Sequence, residues 1–120
     1  MIEQEYNTEQ NILFVKLTGR VDFENMKAYF LSLKNYSDHT TNLFVLEDSR
    51  GISTKFTTEH LSQLSKTLNK VSKHYIEVNH AVVLEKSKDI ALAMIINESL
   101  DENYVINVFT DKELALDWLK

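Results

Sequence analysis

The chain has 120 residues, 43% hydrophobic and 26% charged, the composition of one ordinary folded domain rather than a disordered segment. Its 13 basic and 18 acidic side chains leave a formal net charge of −5, an acid excess that argues against a general nucleic-acid binder. Cysteine is absent, which excludes a disulfide scaffold, a thiolate zinc site and thiol catalysis. No apolar run approaches the roughly 20 residues of a membrane span. The acidic start MIEQEYNTEQ reads as neither a signal nor a transit peptide, so a cytoplasmic protein is expected. With no linker, repeat or low-complexity stretch, residues 1–120 read as a single domain.

In chain order, Ile2 to Tyr6 alternates as a strand, Asn7 to Asn11 is a turn, and Ile12 to Leu17 is a second strand, together an antiparallel hairpin. Asp22 is placed to cap a helix on which Phe23, Met26, Phe30 and Leu33 recur at helical spacing, with Tyr29 and Tyr36 beside them; the stripe reads as core packing, with a ligand-lining role as the alternative. Leu43 to Leu46 reads as a strand buried on both faces, ending at Glu47-Asp48-Ser49-Arg50-Gly51. Thr57-Thr58-Glu59 opens a second helix with the stripe Leu61, Leu64, Leu68, Val71, Tyr75. Ala81 to Leu84 is a further strand, and Ser87-Lys88-Asp89 offers a cap for a third helix. Val105 to Phe109 is the last strand. Thr110 and Glu113 form a capping box for a final helix that packs Leu114, Ala115, Trp118 and Leu119. The order β-β-α-β-α-β-α-β-α predicts an α/β fold with a mixed, mostly parallel five-stranded sheet.

Chemical motifs are sparse. There is no nucleophile elbow, glycine-rich phosphate loop or His-Glu-x-x-His helix. Glu59-His60 reads as a helix cap. His74 and His80 read as flanking the turn before a strand, and without a spaced carboxylate they make a poor metal site. Glu47-Asp48 and Asp101-Glu102 are sequential acids, which do not establish an acid–base pair. No catalytic residue, metal or cofactor is assigned, and an enzyme would need a dispersed site. Lys66, Lys70 and Lys73, with Lys55 before them, form a basic ridge read as a solvated face; docking of an acidic partner or a membrane headgroup surface is the alternative.

Ile90 to Ile96 is seven apolar residues in a row, more than one helix face needs. Ile90 and Met94 are expected to face the sheet. Leu92, Ile95 and Ile96 then form a second stripe, to be covered by a neighbouring element, a second copy in a homodimer, or a greasy ligand.

Three pieces in order carry a family resemblance: the hairpin strand Ile12 to Gly19, the run Phe44 to Gly51, and the ending Val108 to Leu119. Together they resemble SpoIIAA-like STAS domains, relatives of the anti-sigma-factor antagonists, with a wider likeness to the lipid-binding CRAL-TRIO fold. The resemblance implies a repeated βα fold and a bacterial binding or regulatory domain without catalysis. In the antagonists an Asp-Ser-Ser-Gly loop carries the regulatory phosphoserine as its second serine, and that position is Arg50 here. The switch therefore does not carry over to it; Ser49, Ser53 and Thr54 remain candidate phosphate acceptors. A purely structural reading has Asp48 capping a turn, Gly51 supplying a positive φ, and Arg50 paired with a carboxylate.

The expected function is a non-enzymatic regulatory or binding domain, acting on a protein partner, a second copy or a small hydrophobic molecule. Asp48, Ser49, Arg50, Gly51, Leu92, Ile95 and Ile96 are its candidate contact residues. The alternative is a phosphorylation-controlled anti-sigma-factor antagonist, and the weaker one an enzyme with a dispersed site.

Overall fold

Each strand pairs with the one before it in the chain. The computed structural model describes all 120 residues: β1 (Ile2–Asn7), β2 (Ile12–Arg20), α1 (Phe23–Ser32) continued by a 3-10 turn (Leu33–Tyr36), β3 (Asn42–Ser53), α2 (Thr58–Ser72), β4 (Glu77–Val83), α3 (Ser87–Glu98), β5 (Tyr104–Phe109) and α4 (Lys112–Leu119). The sheet order is β1-β2-β3-β4-β5, with β1 antiparallel to β2 and every other pair parallel, as the sequence predicts. A single winding direction with crossovers of one hand keeps α1, α2 and α3 on one face. After β5 the chain is free to cross the other face, where α4 packs on β3, β4 and β5.

Strand alternation divides the core accordingly. Leu13, Val15 and Leu17 of β2 and Leu43 and Val45 of β3 enter a large core with α1 to α3. Ile12, Leu46, Ala81 and Val83 meet Ala115 and Leu119 of α4 in a smaller one. Leu114, expected in that smaller core, is instead exposed, and Trp118 is half-buried against Phe109 with ring centroids 5.8 Å apart. An eight-residue helix presents only one narrow stripe, and Ala115 and Leu119, four apart, occupy it.

The caps follow local chemistry, with two corrections. Asp22 accepts from the Asn25 amide at 2.8 Å, and Thr57 forms a reciprocal box with His60, whose Nδ1 accepts from the Thr57 amide. The last helix, however, is capped by Asp111, which accepts from the Glu113 amide at 2.7 Å, and not by Thr110. Asp111 is the last extended residue before the helix, so its side chain is the one aimed at the free amides. The third helix has no side-chain cap at all: Ser87 already lies in its first turn, behind Lys86.

The Glu47 to Gly51 segment is also corrected. It is not a strand-end turn, because β3 runs on to Ser53. Gly51 has no positive φ; Gly19 does, at 75°. Against β2 the register slips between Lys16, opposite Asp48, and Thr18, opposite Gly51, so β3 carries one extra residue. This bulge resets the alternation. Glu47 and Ser49 face the three-helix core before it, and Ile52 and Thr54 face the same core after it.

Gly19→Ala should cost about 1–2 kcal/mol in a denaturant titration, the penalty for a Cβ in the left-handed region. Gly51→Ala should be neutral or stabilising by up to about 1 kcal/mol, since its added Cβ would meet nothing nearer than Thr18 Cγ2 at 3.8 Å. At α4, Asp111→Ala should cost about 1 kcal/mol and Thr110→Ala distinctly less.

Candidate functional site

On the three-helix face of the sheet, three strands place polar side chains where an apolar residue would be expected. In β3, Leu43 and Val45 are followed at the same parity by Glu47 and Ser49; in β4, Val78 is followed by His80. The register sets Val45 beside His80 and His80 beside Ile106, and brings Tyr104 of β5 next to Val78. From α1, Tyr29 comes down onto the same spot. Glu47, Ser49, His80, Tyr29 and Tyr104 are all buried.

They form one connected hydrogen-bond network. The Tyr29 hydroxyl donates to Glu47 Oε1 at 2.6 Å, and the Ser49 hydroxyl donates to Oε2 at 2.5 Å. His80 Nε2 lies 2.9 Å from Oε1, and its Nδ1 lies 2.6 Å from the Tyr104 hydroxyl. With Nε2–H of His80 donating to the carboxylate and Nδ1 paired with the Tyr104 hydroxyl, every group of the network has a partner. Burial pushes the Glu47 carboxyl up, but hydrogen bonding and electrostatic attraction from His80, with donors from Ser49 and Tyr29, outweigh it and hold the group below its ordinary value. Burial and then the Glu47 charge push Tyr29 and Tyr104 well above the ordinary tyrosine range. A carboxylate saturated with donors and made less basic is a poor general base. Ser49 is bonded to that carboxylate rather than to an imidazole.

The network forms part of the floor of a cavity of about 60 Å³. Met26 and Phe30 of α1, Phe56, and Leu92, Ala93 and Ile96 of α3 supply apolar walls, while Glu47, Ser49, Thr54, His80 and Asp89 supply polar lining. The cavity lies beside α3, which packs on α2 and β5. Two of its polar groups are left over. Thr54 is 5% exposed and its hydroxyl has no partner. Asp89 is 8% exposed, and no protein donor bonds to its carboxylate.

The sequence candidates separate around this site. Ser49 lies in it, while Asp48 and Arg50 point to the α4 face, where Arg50 makes a two-pronged pair with Asp48 at 2.7 and 2.9 Å. That pair holds the Asp48 carboxyl below its ordinary value. Gly51 is an exposed strand residue on neither site. Leu92 and Ile96 line the cavity, but Ile95 turns outward. Met94, expected against the sheet, is 57% exposed; Ile90 instead packs toward the core with Leu92, Ala93 and Ile96. Positions 89, 92, 93 and 96 fall on one helical face, and 91, 94 and 95 on the opposite one. Ser49 and Thr54 are buried, so a phosphate on either would enter the core, and at Ser49 it would sit against Glu47; Ser53 is exposed. The basic ridge of Lys66, Lys70 and Lys73 is exposed, as expected. His80 sits mid-strand rather than at a turn.

Comparison with known families agrees with this architecture: the SpoIIAA-like model matches residues 12–120. The chain belongs to the SpoIIAA-like family. Among solved structures, this SpoIIAA-like domain is similar to an uncharacterized DUF3478-family protein with a SpoIIAA-like fold from Shewanella loihica PV-4. The TM-score is 0.66 at 20% identity, over 100% of this chain and 93% of that one. It is also similar to the Bacillus cell fate determinant SpoIIAA in its phosphorylated form, with a TM-score of 0.52 at 10% identity and complete coverage of both chains. At these identities the likeness is one of fold. No curated protein matches the sequence. A SpoIIAA-like fold is that of a regulatory STAS-type domain, and no helix is long and apolar enough to cross a membrane.

The linkage signs follow from the shifts. Glu47 and Asp48 titrate below their ordinary values of 4.5 and 3.8, so in acid the unfolded chain binds more protons than the folded one. Stability is therefore complete above that range and lost as pH falls through it. Above pH 10.0 the unfolded tyrosines ionise while Tyr29 and Tyr104 do not, so stability falls there as well. In urea titrations across pH, Glu47→Gln should flatten the acid limb and lower stability at neutral pH by about 1–3 kcal/mol, because an amide cannot accept from all three donors.

Proposed function

We propose that this domain is a cytoplasmic, non-enzymatic regulatory module that holds a small, apolar-bodied molecule beneath α3. The observation that carries the reading is the cavity itself: apolar walls around a few convergent polar groups, with the Thr54 hydroxyl left unpartnered. Its outer wall suits a reporting role. At its N-terminal end α3 lacks a side-chain cap and is tied down by Lys86 and Lys88, whose ammonium groups donate to the carbonyls of Ile52 and Thr54 at 3.2 and 2.9 Å. A ligand larger than the cavity would lift that end and change the surface offered to a protein partner.

The test is co-purification. Organic extracts of the native protein, read by mass spectrometry, should contain a small molecule that Ala93→Met, which fills the cavity, excludes while remaining folded. A protein that carries nothing, and whose amide spectrum is unmoved by a library of small apolar-bodied compounds, overturns the reading.

A second reading, self-association, is favoured by the neighbouring exposed side chains of Met94 and Ile95 on the outer face of α3. Exposed apolar pairs of this kind are commonly covered by a partner, and one patch can cover its own copy. Ile95→Glu should convert a sedimenting dimer into a folded monomer. A wild type that sediments as a monomer at high concentration removes this reading. Ile96, being buried, is not the residue to vary.

A further inference from the structure

The cavity beneath α3 presents acceptors and negative charge, and no lysine or arginine lines it. Glu47 is satisfied by Tyr29, Ser49 and His80, and the His80 ring is committed at both nitrogens. The hydrogen-bonding capacity left in the cavity wall belongs to the Thr54 hydroxyl, which has no partner, and to the carboxylate of Asp89, which no protein donor satisfies. The cations nearest Asp89 in the chain, Lys86 and Lys88, are turned to backbone carbonyls of the 52–54 segment. A carboxylate in a largely apolar wall, with no donor from the protein, favours a cation that also donates hydrogen bonds. An anionic ligand would face two carboxylates, and a neutral alcohol would leave the Asp89 charge uncompensated. At about 60 Å³ the space is well below the roughly 150 Å³ that accommodates benzene, which sets the apolar part at a short aliphatic chain.

We propose that this cavity takes a small primary alkylammonium ion, its ammonium held by Asp89 and Thr54 and its chain lying among Leu92, Ala93 and Ile96. This rests on the ligand-pocket reading above and assigns that ligand its chemistry.

The test titrates the ¹⁵N-labelled full chain with propylammonium chloride, n-propanol and sodium propionate at matched ionic strength, following the amides of Thr54, Asp89 and Ala93. Propylammonium should bind about tenfold or more tightly than propanol, the ratio expected for one charge-assisted hydrogen bond. Asp89→Asn should bring the two ligands to parity, and Thr54→Val should narrow the difference. Should Asp89→Asn not fold, the ratio measured with Thr54→Val decides alone: a narrowed ratio supports the assignment and an unchanged one overturns it. Propanol binding as tightly as propylammonium, or propionate binding best, overturns the charge assignment and leaves a ligand pocket standing. No response at these amides to any of the three compounds overturns both.

Discussion

The Glu47 carboxylate is the constraint around which the three-helix face is arranged. Moving a carboxylate out of water costs several kcal/mol even after relaxation, and attraction offsets this only when every lone pair finds good geometry. Here the donors come from α1 through Tyr29, from β3 through Ser49 and from β4 through His80, with β5 holding the imidazole through Tyr104. One charge thus fixes the relative placement of four elements. A buried ionic network is weak evidence for stability, since apolar residues of equal volume often do as well. What it supplies is position: the rings of Tyr29 and His80 and the Ser49 hydroxyl are each locked by a directional bond. A cavity floor built this way has its shape fixed before any ligand arrives.

The β3 bulge works with this network. Without its extra residue, Ile52 and Thr54 would point at α4, and the cavity would lose an apolar wall and its unpartnered hydroxyl. It also explains how adjacent residues can belong to different sites. Ser49 is buried beside Glu47, while Asp48 and Arg50 neutralise one another on the opposite face. The two-pronged geometry of that pair, from residues two apart on one strand, uses the same-face spacing of β structure.

Features governed by neighbouring residues were legible in the sequence: the hairpin, the strand and helix order, the caps at Asp22 and Thr57, and the role of His60. The Glu47–His80 pair was not, because its partners lie 33 residues apart and meet only through the β3–β4 register. A usable signal was nevertheless present. Extending the buried parity of Leu43 and Val45 lands on Glu47 and Ser49, and extending that of Val78 lands on His80; polar residues at core parity in central strands mark sites. The Glu47 to Gly51 run misled because its polar composition resembles a turn, while sheet pairing on both sides of its start holds Glu47 and Asp48 extended. In α3 the seven apolar residues carried no phase information. Only the packing of Ile90, Leu92, Ala93 and Ile96 showed that Met94 and Ile95 are the outward pair.

The strand order has a further consequence, for assembly. Because every strand pairs with its immediate predecessor, each parallel step closes a loop containing one helix, and no strand must wait for a distant segment before its ladder forms. The sheet can grow in the order in which a ribosome delivers it. Glu47 gathers its donors in that same order: Tyr29 is already present when residue 47 emerges, Ser49 follows at once, His80 comes with β4, and Tyr104 completes the chain with β5. Synthesis order thus never separates the carboxylate from its first two donors.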